Sequence, residues 1–341
     1  MTPPAVPEAV DRAMLLAIET SGAAQGASTP NPPVGAVILD ADGALAGVGH
    51  TQPVGGPHAE VMALRQAGQS ARGGTAVVTL EPCNHTGRTG PCAQALLDAG
   101  IAAVYYAVPD PNPQAAGGAA ALSSAGVTTV GGVREAEVRR GPLGPWLFRQ
   151  REGRPMVTAK IAATLDGRVA APDRTSQWIT GPQAREHAHA QRARLDAIVI
   201  GTGTALADDP ALTARRPDGS LYEHQPTRVV LGTRGLPPQA RLRDGTAPLV
   251  QVRSHDPHQV LEALPDAQWV LVEGGPGIIG AFLAAGLVDQ VQAYLAPTIL
   301  GDGHPAVLDR SVTTLAQAHR LHRESVTELG DDLLITLTAA R

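Results

Sequence analysis

The order of helical and extended segments predicts an α/β protein, and two observations split it into two domains. A chain of 341 residues exceeds what one ordinary core fills, and the pattern breaks at a charged stretch near residue 150 and then restarts. The boundary is placed at Gln150, giving domains of 1–150 and 151–341.

In the first domain, Glu8 to Ser21 has apolar residues at Val10, Met14, Ala17 and Ile18, a helical period. Val34 to Leu39 and Ala44 to Val48, separated by Asp40-Ala41-Asp42-Gly43, predict a hairpin. There follow a helix from His58 to about Ala71, a strand Thr75 to Leu80, a helix Pro91 to Ala99 and a strand Ala102 to Val108. A helix near Gly117 to Ser124 and a strand Val127 to Val130 complete the unit. This order predicts a three-layer α/β/α sandwich. Gly141-Pro142-Leu143-Gly144-Pro145 reads as a break, and Arg149 to Arg154 as a polar connector. In the second domain the strands are Val157–Ala163, Ala197–Ile200, Arg228–Leu231, Leu249–Val252 and Trp269–Val272, with helices over Pro182–Ala193 and Ile278–Ala285.

Composition narrows the function. A net charge of −5 without a lysine-arginine run gives no nucleic-acid footprint, and 3% aromatic residues leave few stacking platforms for single strands. No apolar run reaches the roughly 18 residues of a membrane span, and Met1 to Val10 carries Pro and Glu where a leader would be basic and then apolar. A cytoplasmic protein without membrane or nucleic-acid partners is expected.

The chemistry concentrates between His58 and Cys92. His58-Ala59-Glu60 is followed by Glu81-Pro82-Cys83 and then Cys92, and these are the chain's two cysteines. One zinc held by His58, Cys83 and Cys92 has three protein ligands, which leaves the fourth position for a water of lowered pKa. H-x-E followed by P-C and a second Cys is the layout of zinc deaminases, in which the Glu shuttles protons. Glu60 is therefore the candidate general acid-base residue. Here eight residues, Asn84 to Pro91, separate the two thiols where the short form has two, which is allowed if Pro91 opens a helix. Both metal segments then fall at helix N-termini, whose dipoles favour deprotonated sulfur.

With Pro30-Asn31-Pro32-Pro33-Val34-Gly35, His58-Ala59-Glu60, Thr79 through Thr89, Cys92 and Asp110-Pro111-Asn112-Pro113, the first half resembles the deaminase half of the bifunctional riboflavin-biosynthesis deaminase/reductase family. The long gap between the cysteines is characteristic of that family. The resemblance implies a cytidine-deaminase-like fold and puts Asn31, His85 and Arg88 in the pyrimidine and ribose-phosphate pocket. From the residues alone, Asn31 could be a turn former, His85 a solvated loop residue and Arg88 a surface charge. Where the family usually has a His seven residues before the zinc His, this chain has Thr51, with His50 beside it.

The second half resembles the same family's reductase domain. It does so through Lys160-Ile161-Ala162-Ala163-Thr164-Leu165-Asp166-Gly167, Ser176-Gln177-Trp178-Ile179-Thr180, Asp208-Asp209-Pro210-Ala211-Leu212-Thr213, Glu273-Gly274-Gly275-Pro276 and Leu287-Val288-Asp289. This implies a dihydrofolate-reductase-like domain. The resemblance assigns Ala162, Trp178, Thr204, Asp208, Thr233 and the loop Gly275, Pro276, Gly277, Ile278, Ile279, Gly280 and Ala281 to NADPH. It assigns Ser176, Arg192, Leu212, Arg215 and Glu273 to substrate, with Lys160 as a further candidate there. Gly232 stands where the family usually has Asp. Trp178 could equally be core, Asp208 a turn cap and Lys160, the chain's single lysine, a surface charge. The strand Trp269–Val272 running into glycines before a helix could face an anion, though the G-x-G-x-x-G spacing is absent.

The expectation is a zinc- and NADPH-dependent bifunctional enzyme, a homo-oligomer acting on phosphoribosylaminopyrimidines. Two rivals share parts of the pattern. A nucleic-acid-editing deaminase would need a basic groove and aromatic stackers. A structural zinc protein would close the fourth ligand position and have no use for Glu60.

Overall fold

The computed structural model describes residues 6–85 and 90–340 and divides into two compact units after Gly153. The first unit holds α1 (Glu8–Ser21), β1 (Gly35–Leu39), β2 (Leu45–His50), α2 (Ala59–Ala67), β3 (Thr75–Leu80), α3 (Cys92–Asp98), β4 (Ala103–Val108), α4 (Gly118–Ser124), β5 (Thr128–Val130), α5 (Glu135–Arg140) and α6 (Gly144–Glu152). Its sheet has the order β2-β1-β3-β4-β5, antiparallel from β2 to β3 and parallel from β3 to β5.

The layers follow from strand alternation. Gly35 faces α1, because a Cβ there would meet the Ala17 carbonyl at 1.9 Å, whereas on Gly47 and Gly49 it would meet the Ala63 and Ala59 carbonyls of α2 at 2.2 and 2.4 Å. Gly35 pairs with His50, and Ala36 with Gly49. Cross-strand partners share a face, so α1 covers one side of the sheet and α2 the other. The consecutive residues Ala36, Val37 and Ile38 are all fully buried, as a strand covered on both faces requires.

The expected break at 141–154 is corrected. Gly141 ends α5, and Gly144 and Pro145 open α6, which continues through Gln150 to Glu152. Proline in a first helical turn costs no hydrogen bond and presets φ, so Pro145 starts this helix and does not interrupt one. Trp146 anchors α6 in the first core, 5% exposed.

The second unit holds β6 (Met156–Thr164), β7 (Arg168–Ala170), α7 (Pro182–Arg192), β8 (Ala197–Gly201), α8 (Thr202–Asp208), β9 (Thr227–Leu231), β10 (Leu249–Val252), α9 (His258–Glu262), β11 (Trp269–Val272), α10 (Pro276–Ala284), β12 (Gln290–Ala296), β13 (His304–Pro305), β14 (Leu321–Leu329) and β15 (Asp332–Ala339). Eight strands form one sheet, β10-β9-β8-β11-β6-β12-β15-β14, parallel from β10 to β12 and closed by an antiparallel pair; β7 and β13 pair separately. Val157, Val199, Val270 and Val272 pack with Ile279 and Phe282 of α10, and Ile198, Ile200 and Leu271 pack with Leu195, Leu212 and Leu242. Both faces of the parallel strands are thus covered. Such a sheet leaves its carboxyl strand ends as the place for ligands. The strands β12, β14 and β15 have no counterpart in the sequence reading; β14, LHRESVTEL, is polar and mostly exposed, so it carries no apolar alternation.

Candidate active sites

In the first unit the metal-ligating set assembles from three elements. His58 is the N-cap of α2, Cys92 opens α3 behind Pro91, and Cys83 lies just beyond β3. One ligand atom from each lies within 4.8 Å of the others; His58 Nδ1 stands 3.2 Å from Cys92 Sγ and 3.6 Å from Cys83 Sγ. The backbone fixes this meeting, since the Cys92 N–H donates to Cys83 Sγ (3.4 Å) and the Ala93 N–H to the Cys83 carbonyl (3.1 Å). Two soft sulfurs and one imidazole nitrogen are a zinc donor set with one position left over.

The electrostatics suit a cation. The hydrogen bond from Cys92 holds the Cys83 thiol far below its ordinary range, at about 4, while sharing that bond and burial push Cys92 up. His58 is raised by its bond to Cys83. Glu60 is buried in the first turn of α2, and burial together with the Cys83 charge raises its carboxyl to about 6. A cation among these donors would satisfy the thiolate that the fold already favours.

Beyond the ligands, Glu81 supports the loop. Its buried carboxylate accepts the N–H groups of Asp110, Gly117 and Ala119 at 3.0–3.2 Å. Gly118 is required there, because a Cβ would lie 1.8 Å from the Pro82 carbonyl. The cavity above the donors, about 260 Å³, is lined by Asn31, Thr51, His58, Glu60, Cys83, His85, Asp110, Asn112, Trp146 and Gln150 among others. His50 is not among them. It pairs with Gly35 and so lies on the α1 face, whereas Thr51, one residue on, lies on the α2 face and lines the pocket. Arg88 lies outside the described residues.

In the second unit, polar side chains meet where β6 and β11 run side by side. Register pairs Ala159 with Val272, which brings Glu273 next to Lys160. Glu273 accepts from Lys160 Nζ (3.1 Å) and from Arg192 Nη2 and Nε (2.7 and 3.1 Å). Burial alone would raise this carboxyl, but Arg192 and Lys160 hold it down at about 2. Arg192 also reaches the Thr213 carbonyl, and Arg215 Nε donates to Thr213 Oγ1. Leu212 is buried in the left-handed region (φ 51°), a costly conformation for a branched residue that aims this loop at Arg192. The Gly275 N–H donates to Thr204 Oγ1 (3.2 Å), joining the start of α10 to α8. Trp178 is 69% exposed, with the Arg185 guanidinium 4.7 Å from its ring centre, so it is not core. Asp208 ends α8 and Thr233 is exposed just beyond β9.

Residues 7–108 match the cytidine and deoxycytidylate deaminase zinc-binding region, and residues 155–335 match the RibD C-terminal domain. A curated riboflavin biosynthesis protein RibD from Mycobacterium tuberculosis is 51% identical over 97% of this chain and 98% of its own length. The chain belongs to the RibD family. The Escherichia coli RibD is 38% identical over 91% of the chain and 94% of its own. Among solved structures, Acinetobacter baumannii RibD matches with a TM-score of 0.86 at 36% identity, covering 98% of this chain and 99% of that one. A Thermotoga maritima structure described as a diaminohydroxyphosphoribosylaminopyrimidine deaminase/5-amino-6-(5-phosphoribosylamino)uracil reductase matches with 0.87 at 30%, covering 97% and 99%.

Membership of the RibD family fixes the class of both halves. The chain is a bifunctional riboflavin-biosynthesis enzyme, with a cytidine-deaminase-like zinc domain followed by a dihydrofolate-reductase-like reductase domain. The nucleic-acid-editing and structural-zinc alternatives are set aside with it. The fold brings Asn31 and His85 to the zinc donors and Glu60, and brings Lys160, Arg192 and Glu273 into one cluster. Trp146 and Gln150 line the first pocket and are not among the residues the sequence singles out, since Trp146 falls between the expected break at 141–145 and the connector at 149–154, and Gln150 within that connector. Their spacing of four residues on a proline-initiated helix is the signal that could have found them. Among the described residues, no helix is long and apolar enough to cross a membrane.

Proposed function

We propose that the first unit hydrolytically deaminates 2,5-diamino-6-(5-phosphoribosylamino)pyrimidin-4(3H)-one. The second unit then reduces the ribosyl side chain of 5-amino-6-(5-phosphoribosylamino)uracil to ribityl at the expense of NADPH. What carries this reading is the meeting of His58, Cys83 and Cys92 beside buried Glu60, in a chain whose remainder matches the reductase domain. Zinc, when bound by His58, Cys83 and Cys92, supplies the Lewis acidity that activates water. Glu60 takes up a proton and delivers it to the departing ammonia. Its burial in the first turn of α2 places this carboxyl at the pocket with the donors, within the reach that general acid-base work requires. Asn31, His85 and Arg88 hold the base and its ribose phosphate.

In the second reaction NADPH supplies the hydride, held by Ala162, Trp178, Thr204, Asp208, Thr233 and the 275–281 loop. Ser176, Leu212 and Arg215 bind the sugar phosphate beside Lys160, Arg192 and Glu273. Arg192 already spends Nε and Nη2 on Glu273 and Nη1 on Thr213, whereas Arg215 donates through Nε alone among the described residues. The phosphate is therefore assigned chiefly to Arg215, with Arg192 fixing Glu273. Small molecules are the expected partners of a cytoplasmic homo-oligomer, in keeping with the net charge of −5 and the scarcity of aromatic residues. The deciding experiment gives the zinc-loaded protein the diaminopyrimidinone with and without NADPH and identifies the products by mass. Ammonia and the deaminated uracil should form in both, and the ribityl product with NADPH alone. A zinc-replete protein that releases no ammonia would overturn the reading.

A further inference from the structure

The zinc-binding match ends at residue 108 and the reductase match begins at 155, so α6 belongs to neither. Even so, α6 supplies two residues of the deaminase pocket wall, Trp146 and Gln150. They stand four apart in one helix and so share a face. The approach to α6 is itself fixed. Gln25 Nε2, from a buried side chain after α1, donates to the Pro142 carbonyl (3.1 Å), and Leu143 is buried at the helix start. A Cβ on Gly144 would lie 2.5 Å from the Arg139 carbonyl, so the turn from α5 into α6 has no slack.

Trp146 is more than nine-tenths buried yet lines the pocket, and its indole nitrogen is not among the buried polar atoms left without a partner. A tryptophan in a pocket wall offers an apolar ring and one N–H donor to whatever fills the pocket. Here the side chain forms the wall of a substrate cavity that also holds Glu60 and Asn31. Gln150, exposed at the same wall, offers an amide able both to donate and to accept.

We propose that α6 is a specificity element of the deaminase half: the Trp146 N–H donates to an acceptor atom of the aminopyrimidinone, and the Gln150 amide binds the substrate at the pocket rim. The inference rests on the deaminase reading above. It explains why a generic zinc core needs a further helix to select this substrate: the core activates water, and the wall reads the base.

Trp146→Phe keeps an aromatic ring and removes the N–H. The deaminase KM for 2,5-diamino-6-(5-phosphoribosylamino)pyrimidin-4(3H)-one should rise roughly five- to tenfold, as expected for one neutral hydrogen bond, with a smaller change in kcat. Zinc content should stay at one per chain, and NADPH oxidation on ready-made deaminated intermediate should stay at the parent rate. Gln150→Ala, on an exposed side chain, should raise the same KM severalfold without affecting the fold, and it carries the test if Trp146→Phe loses zinc or unfolds. Parent-like KM values in folded, zinc-replete variants would show that α6 is packing alone. Absence of ammonia release from the parent enzyme would instead remove the deaminase reading, so the two failures are distinguishable.

Discussion

Glu60 is buried in the first unit and Glu273 half-buried in the second, and their surroundings drive them in opposite directions. Glu60 lies in the first turn of α2 beside a thiolate, and burial with that negative charge lifts its carboxyl to about 6. Glu273 is less enclosed, and Arg192 and Lys160 lie within 3.1 Å and hold it at about 2. Removing water raises a carboxyl until a nearby cation outweighs the loss. The same kind of side chain thus has its pKa raised in one domain and lowered in the other. Among the described residues, no arginine or lysine lies against Glu60, whereas Glu273 holds two basic side chains in place.

The largest expected effect breaks the first half of this contrast. Glu60→Ala removes the proton carrier and leaves all three zinc ligands, so ammonia release should fall by about two or more orders of magnitude. Zinc measured by elemental analysis should remain, and reduction of supplied intermediate should be unchanged. Equal loss of both activities in the folded variant would mean that the two sites are not independent.

Acid unfolding sharpens the second half. Glu273 is depressed from 4.5 to about 2, so its contribution to stability is fully present above pH 4.5 and is lost as the pH falls from there towards 2. That difference corresponds to about 3 kcal/mol at most, and screening at this partly accessible cluster reduces it. Glu273→Gln should flatten that part of the stability–pH curve and strand two basic groups, lowering reductase activity while ammonia release persists. A curve below pH 4.5 identical to the parent's would show that the cluster does not carry the shift.

A smaller effect is expected where the comparison rests on backbone fit. Gly118→Ala places a methyl group against the Pro82 carbonyl, next to Cys83, and overpacking of this kind costs about 1–3 kcal/mol. Zinc affinity should fall by a measurable factor in a chelator titration, with the reductase unaffected; parent-like affinity would mean that the Cys83 loop yields without cost.

The smallest effect is expected at Arg134, which pairs with Asp11 through two short hydrogen bonds on the surface. Arg134→Ala should leave both activities at parent values. A change in ammonia release would show that the corner leading to α5 and α6 reaches the pocket.

The sequence by itself determined the zinc donors, Glu60, and nearly every element of the first sheet. Those residues sit in local signals: a His-x-Glu at a helix start, a Pro before Cys92, and short apolar runs such as Thr75–Leu80. It also located five of the second domain's six parallel strands, whose apolar runs are bounded by glycine and proline, but not their order in the sheet. Tertiary structure alone decided the rest. That Thr51 and not His50 meets the pocket depends on which sheet face α2 covers, set by contacts of Gly47 and Gly49 with Ala63 and Ala59. That Glu273 is an anion depends on Arg192 arriving from α7, 81 residues away in the chain. That α6 is a wall and not a linker depends on Trp146 entering a core built from distant strands. Propensity and periodicity act over one or two helical turns, whereas burial and charge pairing sum over whatever the fold brings near, so the donors were legible and their surroundings were not.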